Sequence, residues 1–450
     1  MLNYSTLYNT NDYSIILKNI NKECQTKDIT FIDNISKEEY QEFANNHSKS
    51  HFLQSYEWGE FCKVTKNQIP HYVGMKNKKG ELVAATLLLE KKLPFSLSYM
   101  YSPRGFLLNY NDKNLIKIFT NFLKKYMKDN NVIYIKFDPD IKYQDIDNNG
   151  NKVLNGNNNY ELYNYMLSLG YKHKGFYKLY NGNQPRYTFR INLKEINNKE
   201  EIKNKFSSSF IKALKKSDYY DLKLDNQKIP EAFYNLIKNN SSKDGFNPKT
   251  EKYYQELTNK MNNNIKYFNI KIRPKDLLVK INKDLKEQEE LLKTATKRQG
   301  DIRDRITKLT KERELFREFT EEEVVICSLI IIYTKTHAWS FIQGNTELAA
   351  KIGAVSKWYY EAITDAFENG YEFFDLFGTV GDPNTDYMNL SKLHAFKQSF
   401  GDEYIEFMGE FDLVNNKLLY KTLPILLKIY RNLRNNLFWW LYSALEIKVD

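Results

Sequence analysis

"AKIGAVSKWYYEAITDAFENGYEFFDLFG", residues 350–378, runs a long helical pattern straight into a short aromatic strand. The part up to Gly370 has the length and spacing of a helix, and "YEFFDLFG" (371–378) reads as a strand. The same alternation lies on its N-terminal side. "RYTFRINL" (186–193) is a strand, "KEEIKNKFSSSFIKALKKS" (199–217) a basic helix, and "EEEVVICSLIIIYTKTHAWSFIQGN" (321–345) a strand pair. Helices that alternate with strands predict an α/β (α+β) protein.

Residues 28–190 show an earlier round of the same pattern. "HYVGMKNKKGELVAATLLLEKK" (71–92) reads as two strands around a Lys79-Gly80 turn, and "NLIKIFTNFLKKYMKDN" (114–130) as a helix. "NVIYIKFDPD" (131–140) is a strand stopped by Pro139, and Asn and Gly crowd a loop at 147–159. The two rounds predict two copies of one architecture. Between them Leu278, Ile281, Leu285, Gln288, Leu292 and Ala295 follow heptad spacing, which breaks near Gly300-Asp301 and resumes with Ile302, Ile306, Leu309 and Phe316. Residues 275–319 are therefore expected to form an antiparallel coiled-coil hairpin, an arm with Arg313 on its seam.

At 450 residues the chain is long enough for more than one core. Hydrophobic residues at 42% and aromatics at 15% exclude a disordered chain. The formal charge of +11 favours a polyanionic partner without choosing one. Cys24, Cys62 and Cys327 are odd in number and widely spaced, which suits a reducing cytoplasm and suggests neither a disulfide framework nor a thiolate zinc site. No uncharged run reaches the roughly 18 residues of a spanning helix, so neither a secreted nor a transmembrane protein is expected.

Familiar catalytic motifs are missing. His47 and His51 have the spacing of a metal pair but lack a third ligand and the HExxH glutamate, so no metal site is predicted. There is no GxSxG, GxxxxGK[ST] or GxGxxG, which leaves a hydrolase, ATPase or dinucleotide enzyme without support. One lysine stands apart. In "SKLHAFKQSFGDE" (391–403) Lys397 sits between Phe396 and Phe400, where a lysine ordinarily packs its stem and holds its ammonium in water.

Seven longer stretches occur in order: "FLQSYEWGEF" (52–61), "YSPRGFLL" (101–108), "IKFDPD" (135–140), "QPRYTFRINL" (184–193), "KDGFNPKTEKYY" (243–254), "FDLFGTVGDPNTDYMNLSKLHAFKQSFG" (374–401) and "EFMGEFDLV" (406–414). Together they resemble the FemABX family of tRNA-dependent peptidyltransferases, over nearly the whole chain. The resemblance implies two GNAT-like acyltransferase domains, residues 1–185 completed by 405–450 and residues 186–404, with the arm inserted in the second. It implies aminoacyl-tRNA as donor and a peptidoglycan precursor, a lipid-linked or UDP-linked muropeptide, as acceptor. The precursor's side-chain amine attacks the aminoacyl ester and the tRNA 3′ hydroxyl leaves. Because the ester is already activated, neither a metal nor an enzyme-bound cofactor is implied.

The same resemblance assigns residues. Lys397, with Phe396 beside it, matches the lysine at the family's catalytic centre, where an ammonium in a dry pocket stabilises a developing oxyanion. Asp138 is a candidate general base, although an Asp before Pro also forms turns. Tyr253 or Tyr254 matches a muropeptide contact, with core packing as the other reading. Many members carry a phosphate-binding lysine where this chain has Cys62, and Lys63 follows it. Ser207 and Ser209 stand where the family's basic helix has Lys and Arg, and Lys212, Lys215 and Lys216 are the replacements on offer. Lys297, Arg298, Arg303 and Arg305 on the arm are candidate tRNA contacts.

A competing reading is a non-catalytic relative that binds lipid-linked precursor or a partner Fem-like transferase. A metabolic acetyltransferase is disfavoured because no glycine-rich pyrophosphate loop is present. The stretch 418–450, with Lys421, Lys428, Arg431 and Arg434 among Phe438, Trp439 and Trp440, reads either as a packed closing helix pair or as a peripheral contact with the inner membrane surface.

Overall fold

A computed structural model describes residues 29–94, 96–244 and 247–429. The expectations for Cys24, for Gly245-Phe246 and for the segment from 430 to 450 that holds Trp439 and Trp440 lie outside the described residues. Runs with apolar residues on one or both faces form two sheets. The first uses β1 (Thr30–Ile32), β2 (Ile69–Lys76), β3 (Leu82–Lys92), β4 (Ser98–Ser102), β5 (Val132–Phe137), β7 (Tyr171–His173) and β15 (Phe411–Val414), in the order β1-β2-β3-β4-β5-β15-β7. The second uses β6 (Lys142–Asp145), β8 (Tyr187–Asn192), β9 (Lys223–Asp225), β10 (Ile265–Ile272), β11 (Val324–Tyr333), β12 (His337–Asn345), β13 (Phe373–Thr379) and β14 (Glu403–Phe407), in the order β6-β14-β8-β13-β12-β11-β10-β9. In each sheet one parallel pair sits among antiparallel ones, β4 with β5 and β12 with β13.

The sheets exchange strands at more places than the expected boundaries at 185 and 404. β6 already pairs with β14 in the second sheet, and β15 slots between β5 and β7 in the first. Two short crossings, 138–141 and 408–410, therefore run side by side, tied by the Met408 N–H to the Ile141 carbonyl at 2.9 Å. Three cores result. One lies on the second sheet under helix Ala354–Glu368, one on the first sheet under helix Lys113–Asp129. The third is shared, packing Leu87 and Leu89 of β3 with Ile330 and Ile332 of β11 and Trp339 of β12.

The run 350–370 is not one helix. Gly353, at φ +82°, separates helix Glu347–Ile352 from helix Ala354–Glu368. A Cβ there would lie 2.1 Å from the Ala213 carbonyl oxygen, so only glycine allows helix Ser208–Ser217 to approach this closely. Beyond the break, Trp358, Tyr359, Ala362, Ile363 and Ala366 make one buried face at helical spacing.

Helices Pro274–Thr294 and Gln299–Arg317 pack on each other. Near the body they are core: Leu277, Ile281, Leu285, Leu309 and Phe316 are buried with the second sheet. Leu278 and Arg313 are only half-buried, and Glu312 takes the inner position instead, accepting the Tyr220 hydroxyl proton at 2.7 Å. Carboxylate burial is tolerated there because a donor meets it.

Candidate active site

The second sheet opens where its parallel pair ends. β12 and β13 are paired only from His337 to Trp339 against Phe373 to Asp375, and beyond that β13 bulges. Asp375 faces Arg190 and Gly378 faces Thr188, so Leu376 and Phe377 together oppose one residue of β8. Phe377 adopts φ +56°, a left-handed conformation unusual for a bulky side chain. That twist points three successive carbonyls the same way instead of alternating.

Lys397 fills the focus of those carbonyls. Its helix, Met388–Gln398, carries Phe396, and Phe400 follows just past the helix end; both rings pack against Tyr359. The side chain after Phe396 points at the bulge. Lys397 is 6% exposed as a residue, and its ammonium donates to the carbonyls of Leu376 at 2.7 Å, Phe377 at 2.8 Å and Gly378 at 2.7 Å. All three of its protons are used, so this is not a snorkelling lysine. Burial pushes its pKa down to about 7, while the negative charge of Asp375 acts to raise it. Three carbonyl acceptors also favour the charged form.

Beside the ammonium lies a cavity of about 360 Å3, in the gap that β12 and β13 leave between them. Tyr180, Phe341, Tyr359 and Phe377 give it aromatic walls, and Ser340 and Gln343 contribute polar atoms. The Tyr359 hydroxyl donates to Gln343 Oε1 at 2.6 Å. Phe396 is behind Tyr359 and does not line the space.

Asp138 lies elsewhere. It is buried at the 138–141 crossing, accepts the Arg104 N–H at 2.9 Å and is 3.1 Å from the Tyr101 hydroxyl through each oxygen. Burial raises its pKa to about 7, opposed by the Arg104 guanidinium and N–H. It borders a separate space of about 10 Å3, and Pro185 is the residue common to both spaces. The structure therefore does not bring Asp138 and Lys397 into one cavity.

The other sequence candidates divide between core and surface. Tyr254 is buried against Phe233, and Tyr253 is half-buried against Phe61 on helix Tyr56–Lys66. Cys62 is buried, whereas Lys63 is exposed and 3.9 Å from Glu60. On helix Ser208–Ser217, Lys212 and Lys215 are exposed, but Lys216 donates to the Lys351 carbonyl. Ser207 caps that helix by accepting the Phe210 N–H. Lys297, Arg298 and Arg303 are exposed toward the arm's tip. Arg305 differs, being half-buried with its guanidinium 5.1 Å from the Tyr219 ring and 4.0 Å from Asp284. His47 and His51 act locally, accepting the N–H of Lys49 and Leu53, and no metal-holding cluster occurs among the described residues.

The residues missed by the sequence reading are Asp375, Arg190 and Thr188. Asp375 is almost fully buried and receives the Thr188 hydroxyl at 2.8 Å, the Phe377 N–H at 2.7 Å and Arg190 Nε at 3.0 Å. The available signal was a charged residue inside each of two apolar strands, "FFDLFG" and "YTFRINL".

Comparison with known proteins places the chain. The family model described as the FemAB family matches residues 35–428. The aminoacyltransferase FemA of Staphylococcus epidermidis is 25% identical over 431 residues, covering 89% of this chain and 98% of the relative. A lipid II:glycine glycyltransferase of the same species is 26% identical over 408 residues, covering 86% and 93%. The crystal structure of FemX has the same fold, with a TM-score of 0.70 at 21% identity over 87% of this chain and 99% of that one. The chain belongs to the FemAB family.

Replacing Lys397 by Met should strip three carbonyls of their donor and destabilise the fold by about 3 kcal/mol. Urea unfolding checks this: an unchanged midpoint would mean that the ammonium is not needed to hold the bulge.

Proposed function

From membership of the FemAB family and the geometry around Lys397, we infer that this protein is an aminoacyltransferase that extends the stem peptide of a peptidoglycan precursor. The observation that carries the reading is a buried ammonium beside a cavity at the strand opening. The donor is an aminoacyl-tRNA bearing Gly, Ala or Ser, and the acceptor is the side-chain amine of a lipid-linked or UDP-linked muropeptide. The amine nitrogen attacks the ester carbonyl, the tetrahedral oxyanion collapses, and the bond to the tRNA 3′ oxygen breaks, with the amine's proton reaching that oxygen.

Lys397 serves the developing oxyanion. In a water-poor cavity its positive charge acts over short range with little screening, and giving up one of three carbonyl acceptors frees an N–H for the oxyanion. Asp138 is too far out of this cavity to take the proton directly, so its part is to hold the Arg104 loop at the crossing. Incubating the protein with muropeptide precursor and a mixture of charged tRNAs should give a product heavier by one aminoacyl residue. Lys397→Met, assayed at a temperature where it remains folded, should be slower by about 10² to 10⁴. A wild-type protein that binds precursor and yields no heavier product would favour the non-catalytic reading, to which the buried Cys62 also lends support.

The arm serves the tRNA. Neutralising Lys297, Arg298 and Arg303 together should weaken tRNA binding and flatten its salt dependence by up to three charges' worth, while Arg305→Gln alone should change it little. Unaltered tRNA affinity in the triple variant at low salt would remove the arm from donor binding.

A lipid-linked acceptor calls for contact with the bilayer surface. Among the described residues no helix is long and apolar enough to cross a membrane. The helical residues 417–429 leave Leu418, Ile425 and Ile429 exposed beside Lys421 and Lys428, a face that suits an anionic surface. The protein should sediment with anionic vesicles at low salt. Full retention in the supernatant would point to the UDP-linked acceptor instead.

A further inference from the structure

We propose that Asp375 is a positioning residue for Lys397: it fixes the bulge whose three carbonyls seat the ammonium, and it places a buried carboxylate one residue before that bulge. This rests on the assignment of Lys397 to the transfer reaction.

The geometry carries both parts. Residues 376–378 are held from two sides. Asp375 Oδ1 takes the Phe377 N–H from within the strand, while Lys397 takes the carbonyls of Leu376, Phe377 and Gly378 from the helix. A left-handed phenylalanine is strained and persists only when its surroundings over-determine it. Here the N–H of Phe377 and the three carbonyls supply that determination. Gly378 completes the fit, because a Cβ on it would stand 2.1 Å from Pro185 Cγ, at the cavity wall. Any loosening of Asp375 is thus transmitted to the cavity through Phe377 and Gly378, both of which line it.

The charge has its own environment. Arg190 reaches Asp375 through Nε and, at 3.0 Å, through a terminal nitrogen that also lies 3.7 Å from Asp140. One cation is therefore shared by the buried Asp375 and the half-buried Asp140. That leaves Asp375 with residual negative charge for Lys397. Glu403 acts on Arg190 and Lys49 on Asp140 as further charges, whereas the histidines and the tyrosine around the pair are neutral near pH 7. Burial drives the pKa of His337 down to about 3, lowers that of His51 well below its ordinary value, and lowers that of His394, on the lysine's own helix. Burial likewise raises the Tyr359 hydroxyl, on the cavity wall, to well above neutrality.

The sign follows. Losing the anion removes what favours the ammonium, so Lys397 should give up its proton at lower pH. Losing Arg190 releases the full charge of Asp375, so Lys397 should hold its proton to higher pH. The test follows the lysine 13Cε resonances of the labelled full-length protein through pH, with the Lys397 signal assigned by its loss in Lys397→Met. Asp375→Asn, which can still accept the Phe377 N–H, should move the Lys397 midpoint down by about one pH unit, and Arg190→Gln should move it up. The alkaline limb of the transfer rate should shift in the same directions. If Asp375→Asn does not fold, Arg190→Gln still decides. An Lys397 midpoint that stays in place in every folded variant would overturn the inference, whatever the activity shows. A wild-type protein with no transfer activity but a midpoint that moves as stated would instead sink the assignment of function and leave the coupling between Asp375 and Lys397 standing.

Discussion

An ammonium taken out of water must find three acceptors or lose its proton. In this protein the acceptors are main-chain carbonyls, and obtaining three from one strand requires that the strand stop being regular. The bulge at 376–378, the left-handed Phe377 and the early end of the β12–β13 pairing all meet that requirement. The cavity is its by-product, since strands that stay paired leave no gap between them. Packing then secures the arrangement from behind, through Phe396 and Phe400 on Tyr359 and through Phe210 on Phe400.

Around this centre, charge is concentrated where the chain changes sheets. Arg104 donates to the Pro185 carbonyl and lies over the Phe407 ring, and Arg186 pairs with Glu406. Lys136 pairs with Glu410 across β5 and the 408–410 crossing. Such pairs are half or fully buried, where breaking one leaves an uncompensated charge. They fix the sheets relative to one another at the place where two spaces share Pro185. A hydrophobic seam would hold the sheets together as well, but it would specify their register less sharply.

The α/β class and the isolation of Lys397 among aromatics were legible because both are written locally, in periodicity and in neighbours. The family resemblance was legible because its motifs are contiguous. What escaped is non-local. Arg190 and Asp375 meet across 185 residues of sequence, and nothing in "YTFRINL" names its partner. The resemblance offered Tyr253 or Tyr254 as a muropeptide contact with core packing as the other reading, and motif matching does not reveal burial: Tyr254 is buried. The break at Gly353 was hidden inside a helical pattern because its cause, the close approach of another helix, is tertiary. The seam of the arm moved by one residue, from Arg313 to Glu312, because a buried tyrosine hydroxyl decided which polar side chain turned inward.

The placement of β15 has a consequence for how the molecule comes into being. Residues 411–414 complete the first sheet by entering between β5 and β7, strands that end 274 and 238 residues earlier. During synthesis, when the N-terminal part ordinarily folds first, β5 and β7 each present an open edge until the whole second sheet has left the ribosome. Open edges invite pairing with other chains. The N-terminal half is thus born as an unfinished sheet, and a nascent chain halted between His173 and Phe411 carries two strands still waiting for the one that joins them.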